Sequence, residues 1–211
     1  MKRVLFIGDS ITDAERNRED PEDLGQGYVR IISENGLFLA VNRGISGQRV
    51  EDVSQRLRSE VGDIEPDAIV VYAGINNVVH VFKRQRPESP EEFRNRYEEL
   101  VGGARACGKP LLFLLPFLLP TTGLMKPEPW RPVPETGFYA KWRAELEPRL
   151  AIMKDLLVNQ EIPFIALDPL FQDLGIDGSP AAYSLDGVHP TAKGHQFIAQ
   201  RVIDEMEELF S

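Results

Sequence analysis

Four short blocks hold side chains that could do chemistry. They are Gly8-Asp9-Ser10, Asn42-Arg43-Gly44, Gly74-Ile75-Asn76-Asn77 and Asp186-Gly187-Val188-His189-Pro190. A hydroxyl is a poor nucleophile at neutral pH and needs an adjacent base. His189 can serve Ser10 in that way, because imidazole titrates near the working pH. Asp186 is close enough in sequence to fold back on the other ring nitrogen and fix its tautomer. Gly187 permits a tight turn between them, and Pro190 stiffens the start of the last helix. A tetrahedral intermediate carries an oxyanion that needs preorganised donors. The candidates are the backbone N–H of Ser10, the backbone N–H of Gly44 and the side-chain amide of Asn76. The set is sufficient for acyl transfer. Taken singly, each block has an ordinary reading: Gly-Asp-Ser as a helix cap, Asn after a strand as turn chemistry, Asp ahead of His as an exposed turn. What decides is whether the fold brings the blocks to one place.

The elements that must position them are legible as alternating patterns. Val4–Ile7, Leu37–Val41, Ala68–Ala73, Leu111–Leu115 and Ile162–Leu167 are short apolar runs, as expected of strands buried on both faces. Helical patterns lie between and after them at Tyr28–Glu34, Val50–Val61, Pro90–Ala106, Phe138–Asn159 and Thr191–Leu209. Ser89 followed by Pro90 and two acids is helix-start chemistry. Alternating strands and helices predict an α/β fold: a flavodoxin-like three-layer sandwich, with a central parallel sheet of about five strands and helices on both faces. In such a sheet ligands bind outside the carboxyl ends of the strands, which is where the first three blocks fall. The segment Phe117–Gly137 carries five prolines and reads as a stiff functional loop. Together with Val79-His80 it is expected to cap the site.

Composition narrows the field. The 211 residues are 42% hydrophobic and 27% charged, enough for one core and against disorder, so residues 1–211 read as a single domain. Asp and Glu outnumber Lys and Arg, 33 to 24, for a net charge of -9. That balance, with no basic stripe, argues against nucleic acid as a partner. It also opposes anionic membranes, and the longest apolar run, Leu111–Leu119, is well short of the roughly 18 residues a membrane span needs. The start of the chain lacks a signal-peptide pattern, and Cys107 alone can form no intrachain disulfide, so a cytoplasmic location is expected. No metal is expected: His80, His189 and His195 share no ligand spacing on one helix. Gly103–Lys109 spells a phosphate-loop pattern, but Pro110 stands where a magnesium-holding hydroxyl would. Gly25-Gln26-Gly27 lacks the third glycine of a dinucleotide loop, and no G-x-S-x-G elbow exists. Among single residues, Asp9 could serve as a second nucleophile or base, but is expected to hold the Ser10 turn by accepting local N–H groups. Asp13 reads as a solvated loop acid within a solvated run to Asp23. Tyr28 either lines the site or only starts a helix. His195 reads as a helix-face residue near the last strand edge, and Cys107 as a small buried hydrophobe. Trp142 reads as core, and Trp130 as core or a pocket wall.

In order and spacing the blocks resemble those of the SGNH (GDSL) hydrolase family, over a span from residue 8 to 190. The resemblance implies an esterase or acetylesterase without a cofactor, acting on a small-molecule ester. Ser10 would be the nucleophile, His189 the base and Asp186 its orienter, with an oxyanion hole of Ser10, Gly44 and Asn76. Asp9, Tyr28, Asn77, Val79 and Val188 would line the pocket or lie behind it. Gly8–Asp13, Leu24–Val29 and Val41–Gly47 are further similar to the intracellular acetylxylan and xylo-oligosaccharide acetylesterases. Two places depart from the pattern. Asn77 stands where the family usually has Asp, and Val79-His80 where that branch tends to have Trp-Arg. Within the same family a thioesterase or a lysophospholipase is the alternative, and a catalytically weak binding member is another. A homo-oligomer is left open.

Overall fold

The computed structural model describes residues 1–83, 87–120, 138–177, 180–184 and 186–211. Val4-Leu5-Phe6-Ile7 is apolar at every position because both its faces are covered. Val4 and Phe6 pack into one core cluster, Leu5 and Ile7 into the other, as the two-residue period of a strand requires. The run lies within strand β1 (Lys2–Gly8). The other strands are β2 (Phe38–Gly44), β3 (Ala68–Tyr72), β4 (Leu111–Leu115) and β5 (Phe164–Ala166). All pair in parallel, in the order β2-β1-β3-β4-β5.

Among the described residues eight α-helices flank the sheet: α1 (Ser10–Asp13), α2 (Tyr28–Asn35), α3 (Val50–Ile64), α4 (Ile75–Lys83), α5 (Pro90–Arg105), α6 (Phe138–Asn159), α7 (Leu167–Asp177) and α8 (Ala192–Phe210). Residues of α2, α4, α7 and α8 join the first core cluster and those of α3 and α5 the second. Helix α6 gives Trp142 and Leu146 to one cluster and Met153 and Leu157 to the other. The expected three-layer α/β sandwich is what forms.

Element boundaries moved where pairing overrode local pattern. β2 runs on through Asn42-Arg43-Gly44 because those residues continue the ladder with β1. β5 shrinks to three residues, since Leu167 already opens α7. The register then sets up the site. Gly8 pairs with Gly44 on one side and Tyr72 on the other, so the carboxyl ends of β1, β2 and β3 are level. The chain passes from β1 to β2 on one side and to β3 on the other, which opens the crevice where such sheets bind ligands.

Candidate active site

Helix α1 starts directly off β1 and is only four residues long, so its start depends on its cap. Asp9 supplies it, with Oδ1 accepting the Ile11 N–H at 3.0 Å. The expectation for Asp9 agrees with this contact. Its carboxyl is fully buried, and burial pushes its pKa up to about 7 against the Ile11 hydrogen bond and nearby His189. Ser10 follows at the first helical position. Its backbone N–H has no intrahelical partner, and its Oγ lies 3.0 Å from His189 Nε2.

The loop before α8 is held from several sides. Asp186 Oδ1 accepts the N–H groups of Val188 (2.9 Å) and His189 (2.7 Å), and Oδ2 lies 2.7 Å from His189 Nδ1. Burial works to raise the Asp186 pKa, but the His189 ring and the two backbone donors outweigh it and hold it down at about 2. The Gly187 carbonyl accepts from Leu119 N–H, and Ser184 Oγ donates to the His189 carbonyl. Serine, imidazole and carboxylate thus form one hydrogen-bonded chain, built from opposite ends of the sequence. Such a relay can deprotonate the hydroxyl as it attacks and can hand the proton on to a leaving group.

Asn76 sits in the first turn of α4, a helix not expected from the Asn-Asn pair. Its Nδ2 donates to the Gln48 carbonyl at 3.0 Å, which fixes the carboxamide and leaves its second N–H to be used. Gly44 corrects the expectation. Its N–H already donates to Asn42 Oδ1 at 2.8 Å, so it has no hydrogen left for an oxyanion. Glycine is needed there for another reason: a Cβ would collide with the Asp13 backbone. A candidate donor that the sequence reading missed is Gly47. It follows Ser46, a wall residue of the cleft, in a left-handed turn with φ +83° and open space around its Cα. Its N–H meets no acceptor among the described residues. The signal was a second glycine beyond the end of β2 in the same block.

Other expected neighbours are distributed differently. Asp13 is buried rather than solvated. It accepts from Ser46 N–H at 2.8 Å and Ser46 Oγ at 2.7 Å and pairs with Arg18. Burial opposes its ionisation, yet Arg18 and Ser46 bring its pKa below the usual carboxylate value. Asp13 therefore ties the end of the Ser10 helix to the Ser46–Gly47 turn. The rest of the run to Asp23 is mostly exposed, as expected, with Asp23 paired to Arg30. Tyr28 starts α2 and does not line the cleft. It is fully buried with its hydroxyl 3.0 Å from Thr12 Oγ1, behind the serine turn. Val79 and Val188 belong to the hydrophobic core.

Asn77 turns away from the cleft toward α3. Its Oδ1 accepts Val50 N–H, and its Nδ2 donates to Glu51 and Glu88. An aspartate there would face two carboxylates, so the amide suits this chain. His195 is not near β5. It packs on Tyr28 at the start of α2, on a wall of the cleft. Cys107 is half-buried against the second core cluster, and Trp142 is core, stacked on Phe82 at 5.5 Å. Trp130 and most of the Phe117–Gly137 loop lie outside the described residues. Among the described residues no helix is long and apolar enough to cross a membrane.

The open space at this edge is a cleft of about 450 Å³ with Ser10, Ser46 and His189 on its walls. A doubly wound parallel sheet with such a relay at its carboxyl edge is the architecture of an acyl hydrolase. The chain belongs to the GDSL-like Lipase/Acylhydrolase family, whose model matches residues 6–197, and is a carboxylic ester hydrolase. It is 29% identical to an acetylxylan esterase of Geobacillus stearothermophilus, over 97% of this chain and 94% of that one. A solved acetylxylan esterase structure from that organism superposes with a TM-score of 0.78 at 26% identity, covering 97% of this chain and 93% of the other. An alpha/beta hydrolase enzyme from the metagenome of Lake Arreo shares the fold, with a TM-score of 0.80 at 24% identity over 100% of this chain and 97% of that one.

Proposed function

We propose that the chain hydrolyses esters of small acyl groups, acetyl foremost, on carbohydrate-like alcohols, through an acyl-enzyme on Ser10. The observation that carries this reading is the relay of 3.0 Å from Ser10 Oγ to His189 Nε2 and 2.7 Å from His189 Nδ1 to Asp186. In the first half-reaction Ser10 Oγ bonds to the acyl carbon while His189 takes its proton. Asp186 stabilises the imidazolium that results. When the tetrahedral intermediate collapses, the bond to the alcohol oxygen breaks and His189 returns the proton to that oxygen. Water then repeats the sequence on the acyl-enzyme, releasing the acid and restoring the serine. The oxyanion is met by the Ser10 N–H, the remaining Asn76 N–H and, in place of Gly44, the Gly47 N–H.

Asn76→Ala is expected to lower kcat by roughly 10² to 10³ with little change in KM, since the amide acts on charge present only in the transition state. Steady-state kinetics on a chromogenic acetyl ester check this. A change confined to KM would make Asn76 a ground-state contact instead.

The preference for acetyl is supported by the relatives' activity and by the packing beside the relay. Phe117, Leu118 and Leu119 are buried. Phe117 stacks on Phe171 at 4.0 Å, and Leu119 is tied to the Gly187 carbonyl. Among the described residues, that side of the relay is packed core. An unobstructed apolar channel would gain about 0.8 kcal/mol per added methylene. The expected result with aryl esters of fixed leaving group is that kcat/KM falls from acetyl to butyryl and is negligible at octanoyl. A profile that rises toward octanoyl would replace acetyl with a long acyl chain and favour a lysophospholipase.

A further inference from the structure

One wall of the cleft takes no part in the acyl-transfer steps. It consists of His195 on α8 with Gln26 and Glu15 at its rim. The Gly25-Gln26-Gly27 segment is shaped for close approach. A Cβ on Gly25 would strike the Asp13 carbonyl, and one on Gly27 would lie 2.6 Å from Ala14 Cβ and 2.9 Å from the His195 ring. Gln26 N–H donates to the Ala14 carbonyl at 2.7 Å. The turn it grips holds two successive residues with side chains in the left-handed region, Ala14 at φ +44° and Glu15 at φ +63°. Such conformations persist only where the surroundings over-determine them, and they gather at ligand sites. The backbone here is thus fixed, while the Gln26 side chain is exposed and donates to no described atom.

His195 is fixed as well. Its Nδ1 accepts the Tyr28 N–H at 3.2 Å, and its ring lies within 13° of parallel to the Tyr28 ring. Burial, and then the charge of His189, push its pKa down to about 4, so the ring is neutral at neutral pH. A neutral imidazole whose Nδ1 accepts carries its proton on Nε2. No described residue accepts that N–H.

We infer that His195 Nε2–H, with the Gln26 carboxamide and the Glu15 carboxylate, reads the alcohol half of the ester and selects leaving groups that carry hydroxyls next to the ester oxygen. This rests on the serine-esterase reading above. A fixed donor, a group that both donates and accepts, and an acceptor complement neighbouring hydroxyls, each of which does both. A hydrocarbon alcohol would strip water from the same three groups and give nothing back. Sites built to hydrogen-bond a hydroxyl discriminate strongly against analogues that lack it.

The test compares kcat/KM for glycerol 1-acetate and propyl acetate, which share a carbon skeleton and differ in hydroxyls. Their ratio does not depend on the fraction of enzyme that is folded. The wild-type enzyme is expected to favour the glycerol ester by tenfold or more, about 1.4 kcal/mol. In His195→Asn the amide oxygen still accepts from Tyr28 while the Nε2 donor is lost, and the ratio should fall about tenfold. His195→Gln restores a donor near that position and should recover most of it. Gln26→Ala, which removes no described hydrogen bond, should lower the ratio by roughly threefold to tenfold. No wild-type preference, or a ratio unmoved in His195→Asn, overturns the inference. Failure of the serine reading would show separately, as hydrolysis of both esters persisting in Ser10→Ala.

Discussion

Ser10→Ala should lower kcat for acetyl ester hydrolysis on the order of 10⁶-fold, to a residue set by the oxyanion donors and binding alone. The side chain's hydrogen bond is to His189 Nε2, so its loss removes the nucleophile and little else. Helix α1 keeps its start, because the cap is Asp9 through Ile11 N–H and is untouched. The Ser10 backbone N–H also remains for the oxyanion. Stability should therefore stay within about 0.5 kcal/mol of wild type, as for a substitution away from structural contacts. Kinetics on a chromogenic acetyl ester, with thermal unfolding of the same sample, check both halves. A fall of less than tenfold would assign the attack to another group.

Asp186→Asn should cost on the order of 10⁴ in kcat while leaving KM near its wild-type value. Oδ1 could still accept from Val188 and His189 N–H, so the loop is retained. The other position would become an amide N–H facing His189 Nδ1, at 2.7 Å in the wild type. Two donors cannot share that contact. The imidazole moves its proton to Nε2 and can no longer accept from Ser10. The native carboxylate, held near pKa 2, stays ionised across the neutral range. The substitution therefore removes a charge that is present whenever the enzyme works. Its contribution to stability is complete above the ordinary carboxylate pKa and is lost as pH falls toward 2. Wild type should thus lose stability in that acid window more steeply than the variant. A loss of activity below tenfold would mean that some other group orients the ring.

How much of this was legible in the sequence varies by residue. The strands were, because Val4–Ile7 and Leu111–Leu115 are apolar on both faces and nothing local competes with that pattern. The meeting of Ser10, Asp186 and His189 was, because their residue types are complementary and their blocks fall at strand or helix ends. Asp13 was not. A carboxylate in a charged run reads as solvated, and its burial is set by Ser46 and Arg18, contacts that no short-range pattern encodes. The choice between Gly44 and Gly47 failed for a related reason. Both glycines lie in one block, but β2 extends further than its apolar run. Gly44 is therefore still a strand residue with its N–H spent on Asn42, while Gly47 lies beyond the strand end. Helix α4 was hidden by Asn76-Asn77, whose side chains are used for tertiary hydrogen bonds, to Gln48, Val50, Glu51 and Glu88, in place of a local turn. His195 was placed at the wrong edge because its partner, the Tyr28 backbone, is 167 residues away.

The central claim is that Ser10 carries the acyl group between two half-reactions. The direct measurement is to mix the enzyme with a chromogenic acetyl ester, quench with acid within milliseconds, and determine the intact mass and the modified peptide. The expected result is one acetyl group per chain on the peptide containing Ser10, formed with a burst of released alcohol and discharged no slower than kcat, and absent in Ser10→Ala. Steady hydrolysis with no burst and no covalent adduct, or an adduct on a different residue, would contradict it.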